Sequence, residues 1–365
     1  MKSLPMTAVA GICLFAGAMA SIHTSPANAA DVKEFYAGRQ MRMIIFASPG
    51  GGYDTYARLL ARHIVNFIPG NPTMVASNMP GGGGIKAVNY VARSAPTDGS
   101  VMTIVNQGIP MHQALSGKSL ETDVSKFGWV GNISYSNQTF ATWTASGIKS
   151  LDDLKSRQVI VGATGIGSIA AQLPTAYNNL LNAKLKIIYA YPGGNEMNLA
   201  MERGEIHARG ANPLASWKAT KPDWLKENKL TFLIQVGLER EPELPNVPLL
   251  TDVVKGDPDK ESIARFLTNN VIVGRPFAVA PGVPKERLAA LRQAYEKTVV
   301  APKFLAEARK QKMDIRSMAG ERLQALVEEI LATPQSVRDR VKVAITAKGA
   351  EARKGAKKKK KKKKE

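Results

Sequence analysis

The sequence predicts an α/β protein of two lobes, each a mostly parallel sheet flanked by helices. The first observation is that short apolar runs end in glycine-rich turns, which are followed by apolar residues at helical spacing. The second is that this order of strand, turn and helix occurs twice before residue 100 and again after residue 158. Such alternation is typical of parallel strands covered by helices. At 365 residues the chain has the length of about two domains.

Two of these units and one further strand begin the first lobe. Strands are predicted at 41–47, 73–77 and 101–106, and helices at 53–67 and 85–95. The glycine-rich turns between them are 48–52 and 78–84. Later in the chain the pattern predicts a strand at 270–280 and helices at 285–297 and 321–331.

The third unit lies in the second lobe, with a strand at 159–163, a turn at 164–168 and a helix that ends near 182. Residues 186–191 are again extended. Two extended stretches, Trp129 to Ile133 and Leu230 to Gly237, bracket this unit. We therefore predict two crossing hinge strands there, with 30–132 plus 238–347 as lobe one and 133–237 as lobe two.

Both ends of the chain differ from its middle. Lys2, the apolar run Met6 to Ala20 and the small residues of Ala27 to Ala29 predict an export signal, residues 1–29, cleaved near Ala29/Ala30. The only cysteine, Cys13, would leave with it, so no disulfide is expected. At the other end, residues 348–365 are expected to form a disordered polybasic tail.

The charge of the middle favours a small anionic ligand. The net charge of +20 includes +9 from the eleven basic and two acidic residues of 348–365 and one from Lys2, which leaves +10 for 31–347. That balance does not predict a specific nucleic-acid surface. For Lys357 to Lys364 we expect at most a weak contact with anionic surfaces, such as lipid.

The glycine turns are where binding chemistry is expected. A turn between a parallel strand and its helix presents unpaired backbone N–H groups at the positive end of the helix dipole, and glycine lets an anion approach closely. Carboxylates suit this arrangement. The alternative is that glycine and proline only make tight turns there.

Other site types are less well supported. Gly165, Gly167 and Ala170 have the spacing of a dinucleotide fingerprint, but the next extended segment, 186–191, lacks the acidic residue that binds ribose. The histidines His63, His112 and His207 show no metal-binding spacing, so neither a metal nor a cofactor is expected. A secreted hydrolase with an unrecognised catalytic site remains the enzyme alternative, and a surface binder driven by the tail is a third hypothesis.

Several motifs together resemble one known family. They are Pro49-Gly50-Gly51-x-x-Asp54-x-x-Ala57-Arg58, Asn78-x-Pro80-Gly81-x-Gly83-Gly84, Ala95-Pro96-x-Asp98-Gly99, Gly165-x-Gly167-Ser168, Gly204-Glu205-Ile206 and Asn246-Val247-Pro248-Leu249-Leu250. With these motifs the chain resembles the periplasmic solute-binding receptors of tripartite tricarboxylate transporters, also called Bug receptors. The resemblance covers nearly the whole chain after the signal.

The resemblance implies a periplasmic-binding-protein-like fold and a function in transport. Such a protein captures a small organic carboxylate between two lobes and passes it, unchanged, to a membrane permease. We therefore expect a periplasmic, monomeric binding protein that is not an enzyme. The ligand-binding residues implied are Ser48, Gly50, Gly51, Gly52, Tyr53, Asp54, Pro80, Gly81, Gly82, Thr164, Gly165, Gly167, Ser168, Tyr191, Asn195 and Arg209.

Two residues near the expected ligand, Asp54 and Arg209, have two interpretations, and a third, His207, departs from the family pattern. Asp54 either meets the ligand through water or a hydroxyl, or caps the helix that follows. His207 stands where many relatives have aspartate. Arg209 either pairs with a second carboxylate or lies on the surface.

Overall fold

The computed structural model describes residues 26–189 and 191–346. The predicted tail and all of the export signal before residue 26 lie outside the described residues. Cleavage near Ala30 would fall within the first helix, Pro26–Tyr36, and stays a prediction. No helix of the described part of the chain is long and apolar enough to cross a membrane.

Helices and strands alternate along most of the described chain. The strands are β1 (Gln40–Ile45), β2 (Thr73–Asn78), β3 (Val101–Ile104), β4 (Gly128–Asn132), β5 (Gln138–Trp143), β6 (Val159–Gly162), β7 (Leu185–Ile188), β8 (Ala208–Pro213), β9 (Leu230–Val236), β10 (Pro276–Val279) and β11 (Met318–Ala319). The helices are α1 (Pro26–Tyr36), α2 (Gly52–Ile64), α3 (Ile85–Arg93), α4 (Gly108–Leu115), α5 (Leu151–Ser156), α6 (Ile169–Leu180), α7 (Gly194–Glu202), α8 (Leu214–Thr220), α9 (Pro222–Lys226), α10 (Leu250–Val253), α11 (Pro258–Val271), α12 (Lys285–Val300), α13 (Pro302–Lys310), α14 (Gly320–Leu331) and α15 (Gln335–Ala344).

Two separate sheets form the framework of the two lobes. The first has the strand order β11-β4-β10-β3-β1-β2, and the second β7-β6-β8-β5-β9. In the first sheet β1 pairs in parallel with β2 and β3, and in the second β6 pairs in parallel with β7 and β8. All other strand pairs are antiparallel. Both sheets are therefore mixed, which corrects the expectation of mostly parallel sheets.

One inserted strand accounts for most of the antiparallel pairing in each sheet. In the first sheet β10, which arrives late in the chain, inserts between β3 and β4. In the second, β5 enters from the other lobe and pairs with β8 and β9 on its two sides. Each parallel pair contains β1 or β6, the strands that lead into the first and third glycine turns.

The two lobes have separate apolar cores, and their composition moves the predicted boundary. Helices α12 and α14 pack on the first sheet, for example through Leu291 and Val327. The core of the second sheet, in contrast, includes side chains of α10, α11 and α15, such as Leu267 and Val341. The prediction that all of 238–347 belongs to the first lobe is therefore wrong for 250–271 and 335–344.

Besides the step from α14 to α15 at 332–334, the chain crosses between the lobes at 133–137 and 272–275. There the Ile133 N–H donates to the Arg275 carbonyl at 3.2 Å, and the Arg275 N–H donates to the Ser134 carbonyl at 3.0 Å. Asn132 Oδ1 also accepts the Arg275 N–H at 2.8 Å. The first predicted hinge, Trp129 to Ile133, thus ends where the first crossing begins. The second, Leu230 to Gly237, is wrong because β9 stays at the edge of the second sheet.

Most predicted elements are present, and the largest error precedes β10. Residues 270–275, predicted as strand, comprise the end of α11 and the second crossing. The start of α11 is well marked, because Asp257 accepts the Lys260 N–H at 3.2 Å and Pro258 occupies the first turn. Its end lacks a comparable signal.

The packing of α15 on the second lobe predicts different effects for two valines of that helix. Val341 is 0% exposed, whereas Val343 is 72% exposed. Val341→Ala should lower the free energy of unfolding by about 1–3 kcal/mol because it leaves a cavity. Val343→Ala should change it by less than about 0.5 kcal/mol. Urea denaturation measures both, and equal effects would contradict the packing.

Candidate functional site

The first glycine turn is held together by Asp54, which is only 4% exposed. Its carboxylate accepts hydrogen bonds from the Gly50 N–H at 3.0 Å, Arg58 Nε at 2.9 Å and Asn78 Nδ2 at 2.8 Å. Gly50 has φ +80°, a conformation that favours glycine. Asp54 therefore fixes the turn, but it does not cap the helix: it lies within α2, whose N-cap residue Gly51 has no side-chain capping hydrogen bond. Among the described residues, the N–H groups of 51–53 have no acceptor.

The second and third turns touch across the gap between the lobes. Gly167 N–H of the second lobe donates to the Gly82 carbonyl of the first at 3.3 Å. A Cβ atom on Gly165 would lie 2.5 Å from the Gly83 nitrogen, and one on Gly83 would lie 2.7 Å from the Ser168 nitrogen. Backbones this close leave no room for side chains. They also leave no room for a pyrophosphate, which argues against the hypothesis that this turn binds a dinucleotide.

A second contact between the lobes joins the first turn to the start of α7. Ser48 Oγ donates to the Glu196 carboxylate at 2.5 Å. A Cβ atom on Gly51 would lie 3.3 Å from the Gly194 nitrogen, and one on Gly50 would meet the Asn195 side chain at 3.6 Å. The lobes therefore touch each other both at the glycine turns and at the start of α7.

Between these contacts lies a cavity of about 50 Å³, lined by both lobes. Its lining residues are Phe46, Ala47, Gly51, Gly52, Tyr53, Asn106, Gln138, Thr164, Ile169, Ala170, Gly193, Gly194, Met197, Arg209, Ala211, Asn212, Pro213 and Ser216.

Three helices of eight or more residues begin at the cavity wall: α2 at Gly52, α6 at Ile169 and α7 at Gly194. The first comes from the first lobe and the other two from the second. The first N–H groups of a helix lack partners within the helix, and they carry the positive end of its dipole. Their convergence favours a negatively charged group in the cavity.

Arg209 adds a full positive charge to the same wall. It lies on β8 and is 7% exposed, and Nη1 donates to Asn198 Oδ1 at 2.9 Å. Within the described part of the chain, no carboxylate lies within 4.0 Å of its guanidinium, and its Nε has no hydrogen-bond partner. Burial lowers the pKa of Arg209 to about 9, because desolvation disfavours the charged form. An anion beside it would offset that cost.

Two buried amide side chains complete the polar wall. Asn212 and Gln138 lie where β8 and β5 pair, and both line the cavity. Within the described residues, Asn212 Nδ2 and Gln138 Oε1 have no hydrogen-bond partner. The cavity therefore offers one amide donor and one amide acceptor in addition to the backbone groups.

The structure brings five of the predicted site residues to the cavity wall: Gly51, Gly52, Tyr53, Thr164 and Arg209. The others surround it without lining it. Ser48, Gly50, Asp54, Gly82, Gly165, Gly167, Ser168 and Asn195 hold or close the turns, while Pro80, Gly81 and Tyr191 lie farther along them. Whether any of them contacts a ligand stays a prediction.

Some wall residues were missed by sequence reasoning. Gln138, Asn212 and Ser216 are polar residues on or next to strands of the second sheet, and only the folded chain places them at the cavity. No signal in the sequence marks Gln138, which lies between the polar residues Asn137 and Thr139.

His207 and Asp153 have structural roles. His207 Nδ1 accepts the Ile160 N–H at 3.2 Å, away from the cavity. Asp153 forms a capping box with Ser150 at the start of α5. No group of His, Asp or Glu side chains suited to a metal ion occurs among the residues that the structure describes.

Solved structures of periplasmic binding proteins share this fold. The periplasmic binding protein BugD has a TM-score of 0.68 at 19% identity, over 86% of this chain and 100% of the BugD chain. Rpa4515 of R. palustris, solved with adipate, has a TM-score of 0.65 at 20% identity, over 83% and 97%. MatC (Rpa3494) from Rhodopseudomonas palustris, with bound malate, has a TM-score of 0.67 at 20% identity, over 83% and 99%.

No protein-family model and no curated protein matches the chain. The structural similarities establish the fold: the chain has the two-lobed α/β fold of periplasmic binding proteins, which confirms the predicted fold class.

The contact between the turns predicts that Gly167→Ala opens the lobes. A Cβ atom there would lie 2.8 Å from Ile85 Cγ1 and 3.0 Å from the Gly82 carbonyl oxygen. The closed arrangement should be lost while each lobe stays folded, because the change lies at a turn. Small-angle scattering should show a larger radius of gyration than for the parent. The control Ile166→Ala, at a side chain 59% exposed, should behave as the parent does.

Proposed function

We propose that this protein is a periplasmic solute-binding receptor of the tripartite tricarboxylate transporter, or Bug, family. It captures a small organic carboxylate between its lobes and delivers it to the permease of such a transporter. It is exported by its N-terminal signal, acts as a monomer and does not transform its ligand. The observation that carries the proposal is a cavity between the lobes where three helix N-termini and Arg209 meet, with no carboxylate of the described residues within 4.0 Å of that guanidinium.

The shared fold supports the transport role. Two structures of the same fold are described as containing adipate and malate, both of which are carboxylates. The sequence motifs of the glycine turns point to the same family. The cavity supports the ligand class independently, since it is rich in hydrogen-bond donors and positive charge.

The structure gives little support to a hydrolase. One serine-histidine contact is present, with His112 Nε2 at 2.8 Å from Ser119 Oγ. Neither residue lines the cavity between the lobes, and within the described residues no carboxylate bonds to the His112 ring. A serine nucleophile needs a base that is itself oriented, together with donors for the developing oxyanion.

A thermal-shift screen tests the proposed function. Acetate, succinate, malate, adipate, citrate and benzoate cover mono-, di-, tri- and aromatic carboxylates. At 100 times its dissociation constant, a ligand should stabilise the protein by about 2.7 kcal/mol. At least one of the six should raise Tm, and its concentration should stay constant over hours of incubation. Loss of the compound with time would indicate an enzyme, and no shift with any of the six would contradict the proposal.

The position of Arg209 makes a sharper prediction. Arg209→Met should weaken binding of the stabilising carboxylate by about tenfold to a hundredfold, because a hydrogen bond to a charged group contributes about 1.5–3 kcal/mol. Arg203→Met is the matched control, since the Arg203 side chain is 68% exposed. Isothermal titration calorimetry measures both. Equal affinity of Arg209→Met and the parent would remove Arg209 from the ligand site.

A further inference from the structure

A second buried arginine, Arg275, lies behind the cavity wall in the second crossing. It is 1% exposed, yet no carboxylate of the described residues lies within 4.0 Å of its guanidinium. Its Nη2 donates to Ser216 Oγ at 2.7 Å, and its guanidinium lies 4.1 Å from the centre of the Tyr56 ring. Its Nε has no partner in the described part of the chain. A buried charge without a counter-charge is costly, so this position calls for an explanation.

Ser216 connects Arg275 to the cavity. Its side chain is 3% exposed, and the residue lines the cavity. Because Ser216 Oγ accepts a hydrogen bond from Arg275, its own proton remains available for another acceptor. A Cβ atom on Gly52 would lie 2.9 Å from Ser216 Cβ. The hydroxyl therefore lies against the N-terminus of α2, where the backbone donors of the first lobe are.

We propose that Arg275 is a positioning residue for carboxylate binding: it orients and polarises the Ser216 hydroxyl, which donates to the ligand carboxylate. This inference rests on the proposed function. The positive charge of Arg275 then acts on the ligand through one intervening hydroxyl, while Arg209 faces the cavity itself. Charge-assisted hydrogen bonds of this kind are roughly twice as strong as neutral ones.

The arrangement also links binding to closure. Arg275 belongs to the crossing, Ser216 to the second lobe and Gly52 to the first. Only the closed arrangement brings the Ser216 hydroxyl and the α2 N-terminus to the same carboxylate. A ligand that uses both favours closure by its differential affinity for that state.

A purely structural role for Arg275 makes different predictions. In that case its contact with Tyr56 and its bond to Ser216 would stabilise the fold, and Arg275→Met would lower Tm without changing affinity. Arg287 provides a matched control for this outcome. Its guanidinium lies 3.6 Å from the centre of the Phe35 ring and donates to the Asp98 carbonyl at 3.0 Å, far from the cavity wall.

The test is a double-mutant cycle on the full chain with Arg275→Met, Ser216→Ala and the double variant, and with Arg287→Met as control. Each variant is titrated with acetate, succinate, malate, adipate, citrate and benzoate, and with succinamide as an uncharged counterpart of succinate. Each single change should weaken carboxylate binding at least tenfold. The double change should weaken it little further, because both remove the same interaction. Arg287→Met should leave affinity unchanged, and succinamide should not distinguish the parent from Arg275→Met.

Parent-like affinity in Ser216→Ala, or additive losses in the double variant, would overturn the inference while leaving the receptor function intact. A parent that binds none of the six carboxylates would overturn both. If Arg275→Met does not fold, Arg275→Lys takes its place in the cycle, because lysine keeps the charge but not the planar donor group. Ser216→Ala then decides alone, since a serine at the wall is not needed for the core.

Discussion

Positive charge buried around one small cavity is the constraint on which the rest of the site depends. The α2, α6 and α7 N-termini and the side chain of Arg209 all reach that cavity, and Arg275 lies one hydroxyl behind it. Within the described residues, neither guanidinium is paired with a carboxylate. Elsewhere in the fold buried polar groups are mostly paired, as Asp54 is with its three donors. This arrangement favours an anion in the cavity, and the described residues supply no such group there.

Glycine makes that arrangement compatible with closure. The backbones of Gly82 and Gly83 meet those of Gly165 and Gly167 closely enough that a Cβ atom on most of them would clash with the opposite lobe. Side chains at these positions would keep the lobes apart and leave the helix N-termini of the two lobes too distant to share one carboxylate. The turns thus serve two purposes: they leave backbone donors free at the cavity and they permit close approach.

The sequence was most informative where local chemistry decides structure. Glycine turns, strand ends and helix starts are marked by residue type, so the strand, turn and helix units were predicted nearly to the residue, for example β6 (Val159–Gly162) and α6 (Ile169–Leu180). The sheet to which a helix packs is not marked in this way. The apolar faces of α11 and α15 fit either core by their periodicity, and only tertiary contact assigns them to the second. The predicted second hinge failed for the same reason.

The site residues, too, were predicted where local sequence marks them and missed where only tertiary contacts place them. Gly51, Gly52 and Thr164 were predicted because glycine-rich turns can be recognised from residue type alone. Gln138, Asn212 and Ser216 lie on strands and at a helix start that come together only in the folded chain. Arg275 was not singled out, since a lone arginine before a strand is unremarkable in sequence. Only the structure shows that Arg275 is buried. A buried guanidinium without a carboxylate partner is tolerated only where another interaction offsets the free-energy cost of burying its charge.

The chemistry of the wall favours binding over catalysis. Hydrolysis requires a nucleophile, a base that can take its proton and donors for the developing charge. The cavity lining supplies donors in abundance, from backbone N–H groups, Asn212, Ser216 and Arg209, but it contains no histidine, aspartate or glutamate. A wall of this composition is suited to holding an anion, in keeping with the proposed binding function. If the proposed function holds, release of the ligand requires the contacts between the lobes to open, among them the Gly82–Gly167 bond and the Ser48–Glu196 bond.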